Sequence, residues 1–108
     1  MALTRDFRRS VVARARRDPK FRQALFTQAL NACLAGDTKK GKAVLRELVN
    51  ATLGFERLAT AVKRPSKSVH RMLAPRGNPS TENFFGIVKA LQKKTGVHLR
   101  VTADLGEG

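Results

Sequence analysis

Apolar residues recur along most of this chain at three- and four-residue intervals, the period of a helix with one buried face. Residues 4–17 place Phe7, Val11 and Val12 on one side and arginines on the others, a first helix with a narrow apolar stripe. Asp18-Pro19 is a helix start, with Asp as the cap and Pro at the first helical position. The helix it opens runs to about Ala35, burying Phe21, Leu25, Phe26, Ala29, Leu30 and Cys33, and Gly36 is placed to end it. Asp37 caps a third helix that buries Val44, Leu45, Leu48 and Val49 before Gly54. Helices joined by so short a break pack against each other. Residues 75–80 hold two prolines, a glycine and an asparagine and read as a loop. Ser80 or Thr81 caps a last helix that continues to about Lys94, with Phe84, Phe85, Ile87, Val88 and Leu91 inward, and Thr95-Gly96 stops it. Residues 97–101 then alternate apolar and polar, the pattern of a β-strand. A lone strand needs a partner, and the chain offers no second one, so the same strand of another copy is the expected partner. Val97, Leu99 and Val101 are the residues of that dimer contact. The tail from Leu105 is expected to be loose.

Residues 55–73 differ from the rest. Phe55, Leu58, Ala59 and Val62 give one short amphipathic helix, ending near Lys63 because Pro65 removes a donor and biases Arg64 away from the α region. Ser66 stands where the cap of a second helix belongs, and Val69, Met72 and Leu73 supply that helix's buried stripe. Its exposed positions are Lys67, Ser68, His70 and Arg71, which are short, donor-rich or basic. Two short helices of this kind suit a helix-turn-helix, whose second helix enters the major groove.

Charge strengthens that reading. The chain has 108 residues, enough for one domain with a modest core, and 22 Lys and Arg against 8 Asp and Glu give a net charge of +14. Such a field favours a polyanion, nucleic acid or an anionic membrane surface. No acidic residue occurs between Glu56 and Glu82, while Arg57, Lys63, Arg64, Lys67, Arg71 and Arg76 do. Binding driven by counterion release follows, with affinity that falls steeply as salt rises. Ser66 and Lys67 lie at the start of the second helix, where a phosphate is favoured; Ser68 and Arg71 can reach base edges, Arg best at guanine; His70 can meet a phosphate or base; Arg76 and Asn78 on the following loop can clamp the backbone. With no Tyr or Trp, stacking platforms for single strands are scarce. Arg5, Arg8, Arg9, Arg14, Arg16, Arg17 and Arg22 form a second basic cluster, which the residues leave open as an auxiliary DNA contact, an RNA-binding surface or a solvated face.

Other chemistry finds little support. Gly36 to Lys42 fits the first part of a phosphate-binding loop, but Ala43 stands where Ser or Thr must hold magnesium, and a helix precedes the loop where a strand belongs. Lys39, Lys40 and Lys42 read instead as a basic helix start. His70 and His98 have no carboxylate or cysteine at metal-ligand spacing, and Cys33 reads as a small buried hydrophobe. No catalytic residue, metal or cofactor is expected. No apolar run approaches the ~20 residues that cross a bilayer, no signal peptide is visible, and one cysteine precludes an internal disulfide, so a cytoplasmic setting is expected.

The stretch PSKSVHRMLAPRGNPS, with LVNATLGFERLA before it and FRRSVVARARRDPKFRQAL at the start, resembles the HigA-like family of antitoxins. The likeness runs from about Leu3 to Val101, and its most specific parts are Pro65-Ser66-Lys67-Ser68, His70-Arg71-Met72 and Asn78-Pro79. It implies a small all-α domain with an Xre/lambda-repressor-like helix-turn-helix: N-terminal helices in 1–36, a DNA-binding helical core in 37–96 and a C-terminal strand in 97–103. It further implies an antitoxin of a type II toxin–antitoxin module that binds its operator as a homodimer, represses its own operon and neutralises a small ribonuclease-type toxin. Its DNA-binding segment corresponds here to Lys63, Arg64, Ser66, Lys67, Ser68, His70, Arg71, Arg76 and Asn78. Two departures stand out. Lys63 occupies the glycine position of the break and Arg64 an apolar one; a non-glycine residue in the left-handed region costs about 1–2 kcal/mol, which leaves the turn geometry open. A chain at +14 also matches a basic toxin poorly. The alternatives are a stand-alone regulator or nucleoid-associated protein without a toxin, and a basic protein–protein adaptor.

Overall fold

The computed structural model describes residues 5–106 and is all-helical over them. Six helices follow in order: α1 Arg5–Arg17, α2 Pro19–Leu34, α3 Thr38–Ala51, α4 Phe55–Val62, α5 Ser66–Met72 and α6 Thr81–Thr95. Their ends follow from local chemistry. The Asp18 carboxylate accepts from the Phe21 amide at 3.1 Å with Pro19 in the first turn, and Asp37 accepts from the Lys40 amide at 3.2 Å. Ser80 accepts from the Asn83 amide at 3.1 Å. Gly96, at φ 73°, closes α6 in the left-handed conformation that costs glycine little. The last turn of α1 is closed from outside: Arg22 donates to the carbonyls of Ala15 (2.8 Å) and Arg16 (3.1 Å), placing a cation at the negative end of the helix.

The third helix is the centre of the molecule. It packs on α1 and α2 on one side and reaches α4 on the other, while α4 packs on α5 and α6. Phe26 of α2, Leu45, Leu48 and Val49 of α3, Leu58 of α4, Val69 and Leu73 around α5, and Ile87 and Leu91 of α6 are fully buried in one continuous core. The α2–α3 contact is close because position 41 is glycine: a Cβ there would overlap Cys33 Sγ and press on the Ala29 carbonyl. Cys33 is half-buried in that contact, and burial pushes its thiol pKa up, Lys42 opposing and Asp37 adding.

Three expectations are corrected. The predicted β-strand at 97–101, and with it 97–103, does not form: no strand exists among the described residues. Over 97–100 the alternation survives as facing, with Val97 and Leu99 half-buried on the core and His98 and Arg100 exposed, but Val101 is exposed as well. The backbone donors go to side chains instead of a ladder, the Val97 amide to Thr95 Oγ1 at 3.2 Å and the Leu99 amide to Gln92 Oε1 at 2.9 Å. Ser66 is not a cap; Pro65 holds that position at φ −60°, ψ 144°, and Ser66 is the first helical residue. Phe85 does not face inward but is 54% exposed, because the buried face of α6 runs through Ile87, Val88 and Leu91.

Candidate nucleic-acid interface

The turn between α4 and α5 is built on an unusual residue. Lys63 is left-handed at φ 57°, ψ 45°, the one non-glycine residue with positive φ among those described. Its amide donates to the Thr60 carbonyl at 3.3 Å, and the next amide, of Arg64, donates to the Ala59 carbonyl at 3.0 Å. This pair of bonds is the Schellman closure that glycine usually makes. The left-handed turn is therefore kept, at a conformational cost of about 1–2 kcal/mol. Pro65 follows at once, and its carbonyl accepts from the Ser68 and Val69 amides to start α5. Arg64 is drawn away from the turn and donates to Asn83 Oδ1 of α6 at 3.3 Å.

Seven residues make a marginal helix by themselves. Tertiary contacts hold α5 from three sides. Val69 and Leu73 are fully buried beneath it. The His70 ring stacks on Phe55 of α4, with centroids 3.9 Å apart and planes 16° from parallel. The C-terminal end is tied to α3, where Arg46 donates to the Leu73 carbonyl. One turn earlier on α3, Lys42 is only 6% exposed, and its Nζ donates to the carbonyls of Pro75, at 3.3 Å, and Gly77. Gly77 can lie there because it has no side chain; a Cβ would overlap the Arg71 carbonyl. The loop that carries Arg76 and Asn78 is thus folded back on the end of α5 and fastened from behind.

The result is a firmly held cationic surface. Lys63, Lys67, Arg71, Arg76 and Asn78 are exposed, Ser66 and Ser68 half-buried, and His70 exposed although seated on Phe55. Among the described residues, the side chains of Lys63, Lys67, Arg71 and Arg76 have no hydrogen-bond or ion-pair partner, and no acidic residue lies between Glu56 and Glu82 to neutralise them. Such groups are available to phosphates and base edges at little cost in broken contacts. Of the nine residues singled out in the sequence, Arg64 alone donates a side-chain hydrogen bond to another element.

Sequence reasoning missed Arg46 and read Lys42, with Lys39 and Lys40, as a basic helix start, whereas Lys39 and Lys40 are exposed and Lys42 is buried. Their signal is spacing: they stand four apart, with Lys42 between the buried positions Gly41 and Val44, where a lysine must find a partner. Burial lowers the Arg46 pKa, with Glu47 opposing and Arg8 adding. Glu47, itself buried, has its pKa raised by burial against the pull of Arg8 and Arg46. Val97 and Leu99 rest on the chain's own core, which leaves Val101, at 78% exposure, as the open member of the suggested dimer contact. Among the described residues no three His, Cys, Asp or Glu side chains are grouped as metal ligands would be, and no helix is long and apolar enough to cross a membrane. No protein-family model matches this chain, and neither does any curated protein or solved structure.

Proposed function

We propose that this protein is a sequence-specific DNA-binding regulator in which α4 and α5 act as a helix-turn-helix and α5 enters the major groove. One observation carries the reading: α5 and the loop behind it present exposed, unpartnered Lys67, Arg71 and Arg76 in an acid-free interval, on a backbone fastened by Lys42 and Arg46. A backbone held this way loses little freedom on binding, which leaves the ordering of the side chains themselves as the conformational cost. Arg71 is assigned to a base edge, with guanine its best partner, and Lys63, Lys67, Arg76 and Asn78 to phosphates. A single seven-residue helix reads few base pairs, so a two-fold dimer on a palindromic site is part of the proposal. The resemblance to HigA-like antitoxins extends it to autorepression of an operon that also encodes a toxin.

The test is binding to the protein's own upstream DNA and to a scrambled duplex, each across a salt series, with wild type and Arg71→Ala. A bidentate arginine–guanine contact contributes about 1–3 kcal/mol of discrimination, so Arg71→Ala is expected to cut the preference about 5- to 150-fold. Equal binding of wild type to both duplexes, weakening in parallel with salt, would refute sequence-specific recognition.

A further inference from the structure

The first helix carries a second cationic surface that the α4–α5 site does not use. On a helix of 3.6 residues per turn, Arg5, Arg9 and Arg16 fall within about 40° of one another, and Arg8 lies about 60° to the side. Arg5, Arg8, Arg9 and Arg16 line a groove of about 510 Å³ whose floor includes Glu47 and Asn50 of α3. Arg16 is already engaged, donating to the Asn50 carbonyl at 3.4 Å, and Arg8 faces Glu47. Arg5 and Arg9 are exposed and, among the described residues, have neither an ion-pair nor a hydrogen-bond partner. These arginines do not help the helix. Arg5–Arg8 and Arg5–Arg9 are like-charge pairs at three- and four-residue spacing, each unfavourable to an isolated helix. An anion aligned with the row would relieve that repulsion.

The row is linked to the α5 site through α3. Arg8 and Arg46 flank Glu47, and Arg46 donates to the Leu73 carbonyl at the end of α5. The row from Arg5 to Arg16 is about 16 Å long at 1.5 Å per residue. A duplex strand turns once in about 10 base pairs, so a straight row of that length can follow about two or three successive phosphates before the strand winds away. Arginine suits phosphate because its planar fork donates two parallel bonds. A duplex fits better than single-stranded RNA, since the chain has no Tyr or Trp and the exposed ring of α1, Phe7, lies on the far side of the helix from the arginine row.

We propose that Arg5, Arg8 and Arg9 on α1 form a second phosphate-binding surface that grips the DNA backbone flanking the segment taken by α5. This rests on the DNA-binding reading above. The test uses the full chain, a duplex limited to the footprinted core of the upstream DNA, and the same core with ten or so flanking base pairs on each side. Salt dependence of binding is compared for wild type, Arg5→Ala/Arg9→Ala, Arg5→Lys/Arg9→Lys and Arg71→Ala. Arg8 is left intact because it faces Glu47. The double alanine variant is expected to reduce the slope of log K against log salt by about 1.8 on the long duplex, two phosphates at about 0.9 each. It should leave the preference over scrambled DNA unchanged, leave the core duplex unaffected, and be reversed by the lysine pair. An unchanged slope on the long duplex, or equal loss on the core duplex, overturns the proposal. So does an RNA hairpin whose binding depends on Arg5 and Arg9 when duplex binding does not. Loss of preference with Arg71→Ala reads the α5 site separately, so either surface can fail without the other.

Discussion

Replacing Lys42 with methionine removes one donor group from the molecule and keeps the length of its side chain. The Lys42 ammonium sits between α3 and the loop after α5, with bonds to the Pro75 carbonyl at 3.3 Å and to the Gly77 carbonyl. Hydrogen bonds from charged groups contribute about 1.5–3 kcal/mol each. The longer bond belongs at the low end, so the pair is worth about 3–4 kcal/mol. Methionine recovers part of this because a thioether is buried at no cost in charge desolvation. The expected net loss is about 2 kcal/mol. For a chain of this size that is a fall in melting temperature of about 8 °C. Urea unfolding should show a lower midpoint with an unchanged slope, whereas Lys40→Met, at an exposed position, should lie within about 0.5 kcal/mol of wild type. Trypsin supplies the local readout. Arg76 lies on the released loop, and cleavage after it should accelerate in Lys42→Met under native conditions. A Lys42→Met protein as stable as Lys40→Met, with unchanged cleavage at Arg76, would show that the loop is held by something other than this lysine.

Three further perturbations follow from the same contacts. Lys63→Gly relieves the left-handed strain at φ 57° and should raise stability by about 0.5–1 kcal/mol by thermal melting, while removing one cation and lowering the salt slope of DNA binding by about 0.9. Gly77→Ala places a methyl group against the Arg71 carbonyl and should cost about 2 kcal/mol in urea unfolding, with loss of DNA affinity as Arg76 and Asn78 shift; a silent substitution would refute the close approach. Burial raises the Glu47 pKa in the folded chain, so the ionised carboxylate opposes folding at neutral pH; the penalty fades as pH falls through that raised folded value and is gone below the unfolded value near 4.5. Glu47→Gln should therefore melt higher than wild type at pH 7 and lose that advantage at pH 4; a lower melting temperature at pH 7 would mean that its attraction to Arg8 and Arg46 outweighs burial.

The helices were legible because each carries its own instructions. Asp18, Asp37 and Ser80 cap where the pattern starts, and Gly36 and Gly96 stand just past where it stops. Period-two alternation at 97–101 predicted the facing of residues 97–100 but not that of Val101, and it did not predict the structure, since facing is a property of the segment and a ladder is a property of two. Gln92 supplies an acceptor that a neighbouring strand would have supplied. Ser66 misled because Pro65 satisfies the geometric demands of the cap position without a side-chain bond. The candidate interface was legible as composition but not as construction. Arg71 and Arg76 stand out in an acid-free run, whereas the bonds that position them run from Lys42 and Arg46 to carbonyls 27 to 35 residues further along the chain. Nothing local marks Arg46 as a partner of Leu73, or Phe55 as the seat of His70.

The contact between Gly41 and Cys33 has a consequence for how this chain can change. Sulfur on one helix occupies the space that a methyl group on the other would need. The two positions therefore share one allowance of volume. Enlarging position 41 alone pushes α2 from α3, whereas trimming Cys33 to alanine at the same time removes the sulfur overlap and leaves only the tight approach to the Ala29 carbonyl to be relaxed. Divergent versions of this helix pair should thus carry a side chain at 41 only where a residue smaller than cysteine stands at 33.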